Sequence, residues 1–374
     1  MSQVRVGIVG TSWWADAMYL PPLTAHEQAA VVAVSGRNAA TTAAFADRWG
    51  IEQRFDDPIA MLDSAGLDAV VVASSNDSHF PLTMAALDRG LHVLCEKPLA
   101  QNAAQAQEMT ARAEETGAIT LVPFTYHYMP VNQWVRRLIA EGYVGRPYHV
   151  NIRYYTGYAA DSAYSWRFDR ELAGSGVIGD LASHWIHLAR WLLDDNEVSV
   201  GALASAFVER QPRPDGGTYE QAEDSAVLTV RYASGAYGVL QVCAVSWEGT
   251  PFNQTHHLEV HGDAGTIYGV CDWDTVQEVR GVRRGERGPA TVLPIPDEIW
   301  GGVRRDNVHD TYRDVFRGTD AMTRGWITAI AEQRHVRPDF ADGLAVQRVV
   351  DAAVASADAD GAQVPVTPVA VDRG

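Results

Sequence analysis

The chain has 374 residues, enough for two domains, and its 47% hydrophobic and 21% charged content is that of an ordinary globular protein. Lys and Arg number 30 against 47 Asp and Glu, and the net charge of −17 disfavours nucleic acid and anionic membrane as partners. No apolar run is long enough to span a bilayer and no export signal opens the chain, so a cytoplasmic protein is expected. Cys95, Cys243 and Cys271 are odd in number, lack metal-ligand spacing and read as buried free thiols.

The first third alternates strand and helix. Residues 4–9 are a continuous apolar run, as in a parallel strand buried on both faces. A helix follows and is expected to end near Pro21-Pro22. Residues 31–35 read as the second strand, and Asn38 caps a helix reaching Trp49, with Gly50 past its end. Asp57-Pro58 opens a short helix. A strand at 68–73 precedes a helix capped by Asp77 or Ser78 and stopped at Gly90. A strand at 91–95, a helix from Asn102 to Thr116 and a strand at 118–123 complete a βαβ series, which predicts a doubly wound parallel sheet over 1–124. From 125 to 374 the text changes. A helix at 131–141 is followed by alternating strand-like segments with a helix at 179–193 among them, predicting an α/β domain with an open, mostly antiparallel sheet. Residues 281–310 read as a long loop, and helices are expected near 312–333 and 343–357.

The turn after the first strand reads Gly10-Thr11-Ser12-Trp13-Trp14-Ala15, a variant of G-x-G-x-x-G with serine at the middle glycine. Gly10 permits the tight turn and Ala15 the close helix–strand packing. Ser12 is small, its hydroxyl can donate to phosphate, and a helix N-terminus adds free N–H groups. Between a buried strand and a helix, this reads as a dinucleotide cradle; taken alone it is only a tight turn. Trp13 and Trp14 either flank the cofactor or anchor the first helix. The second strand ends in Ser35, Gly36 and Arg37, with no acidic residue for a ribose; Glu27 lies before the strand. Serine and arginine suit a 2′-phosphate, so NADP(H) is expected over NAD(H), the plainer alternative for Arg37 being a solvated loop arginine.

"HVLCEKPLA" sets Glu96-Lys97-Pro98 at the C-terminal end of a strand, where open α/β sheets bind ligands. Beside a nicotinamide cation, the pKa of Lys97 is expected to fall, suiting it to proton transfer at a hydroxyl. These features, with "SWRFDRELAGSGVIGDLASHWIHLARWLL", "VHGDAGTI" and "FADGLAVQRVVDAAVASA", make nearly the whole chain resemble the Gfo/Idh/MocA oxidoreductases, the group of glucose–fructose oxidoreductase and inositol dehydrogenases. The resemblance implies a Rossmann domain and an α/β domain whose open sheet serves as an oligomer interface, giving a homodimer or homotetramer. It implies Lys97 as the active-site lysine, with Asp180 and His184 as partners. Three positions depart from the pattern: Ser12 for glycine, Ala182 where glycine is frequent, and His187 where many members have Asp.

Asp180, His184 and His187 follow an i, i+4, i+7 spacing and are expected on one helix face. With Lys97 they are expected to form an acid/base cluster across the interdomain cleft. We assign His184 as general acid/base, Lys97 as the polarising partner of the reacting oxygen, and Asp180 as an orienter of substrate or histidine. Asp and His at this spacing also suit a metal, but a nicotinamide enzyme needs none, and none is expected. A polar face packed at a domain junction is the structural alternative.

Cofactor contacts are expected from residues 10–14 and 35–37 of the two turns, from Ser74, Asn76 and His79 after the strand at 68–73, and from Glu96, Lys97, Trp166 and Arg167. Substrate contacts are expected from Tyr126, Trp166, Arg167 and His187, besides Lys97, Asp180 and His184. The aromatic text at 154–168 either stacks on a sugar or cyclitol ring or simply packs in strands. His127 is either near the substrate or an ordinary core or surface histidine. His256, His257 and His261 carry no ligand pattern. The expected activity is hydride transfer between NADP(H), with NAD as the alternative, and the secondary hydroxyl or ketone of a sugar, sugar derivative or cyclitol. The rivals are a glycoside hydrolase or lyase with a retained NAD-type cofactor, and a non-catalytic nucleotide- or sugar-sensing regulator.

Overall fold

A computed structural model describes residues 3–247, 249–250, 253–272 and 277–368. The chain divides into two compact units, Met1–Phe124 with Arg313–Leu344, and Thr125–Tyr312 with Ala345–Gly374. The sequence reading ran the second domain unbroken from 125 to 374, whereas the structure groups Arg313–Leu344 with the first unit. The reason is local packing: Trp326 Nε1 donates to Ile119 O at 3.0 Å, and Val122 N donates to Pro338 O at 2.9 Å. Among the described residues no helix is long and apolar enough to cross a membrane.

The first unit is built on a six-stranded parallel sheet. Its strands are β1 (Val4–Val9), β2 (Ala29–Ser35), β3 (Gln53–Phe55), β4 (Ala69–Val72), β5 (His92–Cys95) and β6 (Thr120–Leu121), in the order β3-β2-β1-β4-β5-β6. All four residues of β4 are buried, which explains its unbroken apolar text. The order reverses between β1 and β4, so the crevice at their C-terminal ends is the topological switch point. Helix caps follow the sequence: Asn38 Oδ1 accepts from Thr41 N at 3.0 Å, and Gly50 and Gly117 end their helices in the left-handed region.

Two expectations fail here. The helix Asn76–Leu87 is preceded by Ser75, so Asp77 and Ser78 lie within its first turn and neither caps it. The first helix also runs past Pro21-Pro22. A π-helical turn, Ala15–Tyr19, leads into Leu20–Thr24, which puts the prolines in the opening turn of a new segment, where a missing N–H is tolerated. The carbonyl of Ala17, which Pro21 cannot engage, accepts instead from Arg317 Nη2 at 2.8 Å and Nε at 3.2 Å.

The second unit holds a nine-stranded sheet: β7 (Pro147–Tyr155), β8 (Glu197–Ser205), β9 (Ser225–Tyr232), β10 (Tyr237–Cys243), β11 (Thr255–Gly262), β12 (Gly265–Asp272), β13 (Gln277–Arg283), β14 (Thr291–Val292) and β15 (Val364–Pro365). The order is β14-β13-β12-β11-β7-β10-β9-β8-β15, and every pair is antiparallel except β7 with β10. Alternation sends Val150, Ile152 and Tyr154 of β7, and Leu258 and Val260 of β11, to a buried face. The helices Pro130–Ala140 and Ser183–Leu193 pack on this sheet. Tyr148 and Tyr237 stand exposed. The stretch expected as a loop over 281–310 carries the end of β13, the short β14 and the helical turn Asp297–Trp300. These pieces are too short to leave a period in the sequence.

Candidate active site

In the first unit, the predicted cofactor residues gather at the C-terminal ends of β1, β2, β4 and β5. Gly10 sits at φ +106°, and a Cβ there would run into the carbonyl of Ala73, so only glycine fits the turn. Its N–H donates to Ser35 O at 2.9 Å, tying the end of β1 to that of β2. Ser12 is exposed, and its Oγ accepts from Ala15 N at 3.3 Å. As an acceptor there, the hydroxyl keeps its proton to give to a phosphate. Gly36 packs so closely that a Cβ would lie 2.5 Å from Thr42 Oγ1 and 3.1 Å from the methyl of Thr11. Ser35 is buried, whereas Arg37 is exposed and, among the described residues, forms no ion pair. Residue types, spacing and glycine cradle therefore fit a dinucleotide. Trp13 is exposed beside Trp14, their ring centroids 6.0 Å apart.

Beyond β4, Ser78 Oγ donates to Ser74 Oγ at 2.6 Å, and Asn76 is buried. His79 is wholly buried, with Nδ1 3.0 Å from Pro98 O and Nε2 3.3 Å from Ser74 O. Burial lowers its pKa. The sequence reading made His79 a cofactor contact; the structure makes it a strut between the turns after β4 and β5, with no surface left for a ligand. Glu96 and Lys97 follow β5 and are half-buried. The Glu96 carboxylate accepts from the Tyr19 hydroxyl and, at 3.0 Å, from Lys97 N. Trp14 Nε1 donates to the same tyrosine oxygen at 3.3 Å, which links the cofactor turn to the backbone of Lys97.

In the second unit, Asp180 and His184 stand on two kinds of helix. A π-helical turn, Ile178–Ala182, leads into the α-helix Ser183–Leu193. The expectation of one regular helix over 179–193 missed this wider turn, which alters the angular spacing between Asp180 and the residues after it. Asp180 Oδ2 accepts from the Tyr158 hydroxyl at 2.6 Å, and Arg167 Nε lies 3.8 Å from Oδ1. The Arg167 guanidinium stacks over Trp166 at 4.6 Å, within a 3-10 turn capped by Ser165.

His184, 9% exposed, meets the edge of Tyr126 with ring centroids 5.0 Å apart. Tyr126 is the buried hub of an aromatic cluster, 4.4 Å from both Trp185 and His256. Burial drives its phenol pKa well up and pushes His256 down to about 3. His184 thus packs against a cluster of uncharged aromatic rings. Tyr126, expected to contact substrate, is as buried as His184 and packs against it. His187 is likewise almost fully buried, its Nε2 3.3 Å from Nδ1 of His127. One ring of this pair must donate and the other accept, and burial holds His127 well below the usual histidine range. Sequence reasoning missed His256 and the hydroxyl of Tyr158. Alternation along β11 marks His256 as facing the same side as Leu258 and Val260; nothing local marks Tyr158.

Residues 4–124 match the oxidoreductase family with an NAD-binding Rossmann fold, and residues 132–268 match the GFO/IDH/MocA C-terminal domain. The chain is 27% identical to levoglucosan dehydrogenase of Pseudarthrobacter phenanthrenivorans, over 96% of this chain and 97% of that protein. It is 30% identical to 1,5-anhydro-D-fructose reductase of Ensifer adhaerens, over 71% and 75%. Against the structure of levoglucosan dehydrogenase in complex with NADH and levoglucosan, the TM-score is 0.85 at 25% identity, covering 98% of this chain and all of that one. Both halves of the fold, the dinucleotide turn and the helix bearing Asp180 and His184 point the same way: the chain belongs to the Gfo/Idh/MocA family of oxidoreductases with an NAD-binding Rossmann fold.

Proposed function

We propose that the protein is an NADP(H)-preferring oxidoreductase that acts on the secondary hydroxyl or ketone of a sugar, sugar derivative or cyclitol. The observation that carries the cofactor preference is the end of β2. An exposed Arg37 follows Ser35 and the close-packed Gly36, and no carboxylate follows the strand until Asp47. An unpaired guanidinium suits a 2′-phosphate, where an acid would suit a bare ribose. The substrate class is supported by relatives named for levoglucosan, 1,5-anhydro-D-fructose and inositol.

When bound, the nicotinamide supplies or accepts the hydride. His184 moves the proton of the reacting hydroxyl, Lys97 polarises that oxygen, and Asp180 orients the reacting groups. Residues 1–124 hold the dinucleotide; the unit of residues 125–312 and 345–374 supplies the substrate side and, through the open sheet face, a homodimer or homotetramer. The test is initial rates of nicotinamide reduction, with NADP+ and NAD+ each offered against levoglucosan, D-glucose, methyl glucosides and myo-inositol. The expected result is sugar-dependent reduction with a higher kcat/KM for NADP+. Reduction with NAD+ alone overturns the cofactor preference. No reduction, with nucleotide released on denaturation, favours a hydrolase or lyase with a retained cofactor; with no nucleotide released, it favours a sensing regulator.

A further inference from the structure

Asp180 is held by a side chain from outside its own helix. The Tyr158 hydroxyl donates to Oδ2 at 2.6 Å, the length of a charge-assisted O–H···O⁻ bond, and the Arg167 guanidinium lies on the Oδ1 side at 3.8 Å. The two carboxylate oxygens thus have different partners. Tyr158 as a whole is 46% exposed and its ring stacks on Phe168, contacts that a phenylalanine retains, whereas the bond to Asp180 needs the hydroxyl.

The loop around Tyr158 is anchored to match. Ala159 N donates to Ala244 O at 3.0 Å. Arg210 donates to Ala159 O at 2.9 Å and to Asp161 O at 3.0 Å. Its guanidinium lies 3.9 Å over the ring of Phe168, which in turn stacks with Tyr158. Arg210 is paired at 3.8 Å with Asp224, and both side chains are fully buried. Asp224 also accepts from the backbone N–H groups of Phe207 and Val208 at 3.0 Å. A buried ion pair costs desolvation free energy and is weak support for stability in itself. Here it fixes the backbone that follows Tyr158.

We infer that Tyr158 is a positioning residue for Asp180, its hydroxyl setting the orientation of the carboxylate while the Arg210–Asp224 pair holds the loop that presents it. This rests on the reading that Asp180 acts in the reaction. The test compares Tyr158→Phe, Asp180→Asn and the double variant. It reads kcat and KM on the panel sugar that the wild type turns over fastest, the NADP+ Kd by tryptophan fluorescence, and Tm. Tyr158→Phe is expected to lower kcat about tenfold or more, the effect of losing one hydrogen bond to a charged group, with NADP+ Kd and Tm unchanged. Asp180→Asn lowers kcat further, and the double variant falls no lower than Asp180→Asn alone, because Tyr158 acts through that carboxylate. A Tyr158→Phe enzyme with wild-type kcat, or losses that multiply in the double variant, overturns the inference while leaving Asp180 in the site. Full turnover in Asp180→Asn removes the parent reading, and the inference goes with it.

Discussion

Single atoms decide the cofactor side of the protein. Gly10 is fixed by its φ of +106° and by the carbonyl of Ala73, so Gly10→Ala adds both backbone strain and a collision. Strain of that kind costs about 1–3 kcal/mol. We expect a lower Tm and loss of dinucleotide binding, measured by thermal unfolding and by fluorescence titration; unchanged binding would show that the turn does not form the cradle. Arg37 is exposed, and the 2′-phosphate contact proposed for it is a charge-assisted hydrogen bond. Arg37→Ala is expected to raise the NADP+ Kd about tenfold or more, the loss of a charged hydrogen bond, and to leave the NAD+ Kd unchanged. Equal affinity for NADP+ before and after the change would return the residue to an ordinary loop arginine.

Elements were legible in the sequence where burial was two-sided or a cap was explicit. The apolar run of β1 and the Asn-to-Gly bracket around Ala103–Thr116 both reappear in the structure. Asn102 Oδ1 accepts from Gln105 N at 3.0 Å, and Asn102→Ala is expected to cost about 1 kcal/mol in urea unfolding with activity retained. The three-residue β3, "QRF", left no signal, because a short edge strand with a polar first half has no period to read. The π turns at Ala15–Tyr19 and Ile178–Ala182 were also invisible, since one extra residue per turn is a hydrogen-bonding choice and composition does not record it. For the site, the residue types were readable and their surroundings were not. Tyr126, His79, His184 and His187 carry the chemistry the sequence points to, and all four are buried, a property their spacing does not record.

At the scale of the whole molecule, buried histidines tie stability to pH. His256 is pushed down to about 3, first by burial and then by His257, and burial also lowers His79 and His127. Each binds a proton more readily in the unfolded chain, near pH 6.5, than in the folded one. Their contribution is complete above that value and is lost as pH falls towards the folded pKa. Burial raises the pKa of Glu197 and Glu223, which act in the opposite sense: their contribution is present below the ordinary carboxylate range and is lost as pH rises through the raised values. The histidine contribution to unfolding free energy is expected to fall as pH drops from about 6 to about 5. His256→Phe should remove about 1.4 kcal/mol per pH unit from that slope, read by urea unfolding at each pH; an unchanged slope would mean that His256 is not buried neutral. Lys97 and His184 are proposed to carry the proton chemistry of an NADP(H)-linked sugar dehydrogenase. This role is tested most directly by turnover of Lys97→Ala and His184→Ala on the fastest panel sugar, with NADP+ affinity measured on the same samples. In each, kcat is expected to fall by about 100-fold or more, in the range of general acid–base catalysis, while NADP+ binding holds. Full turnover in both variants would contradict this role.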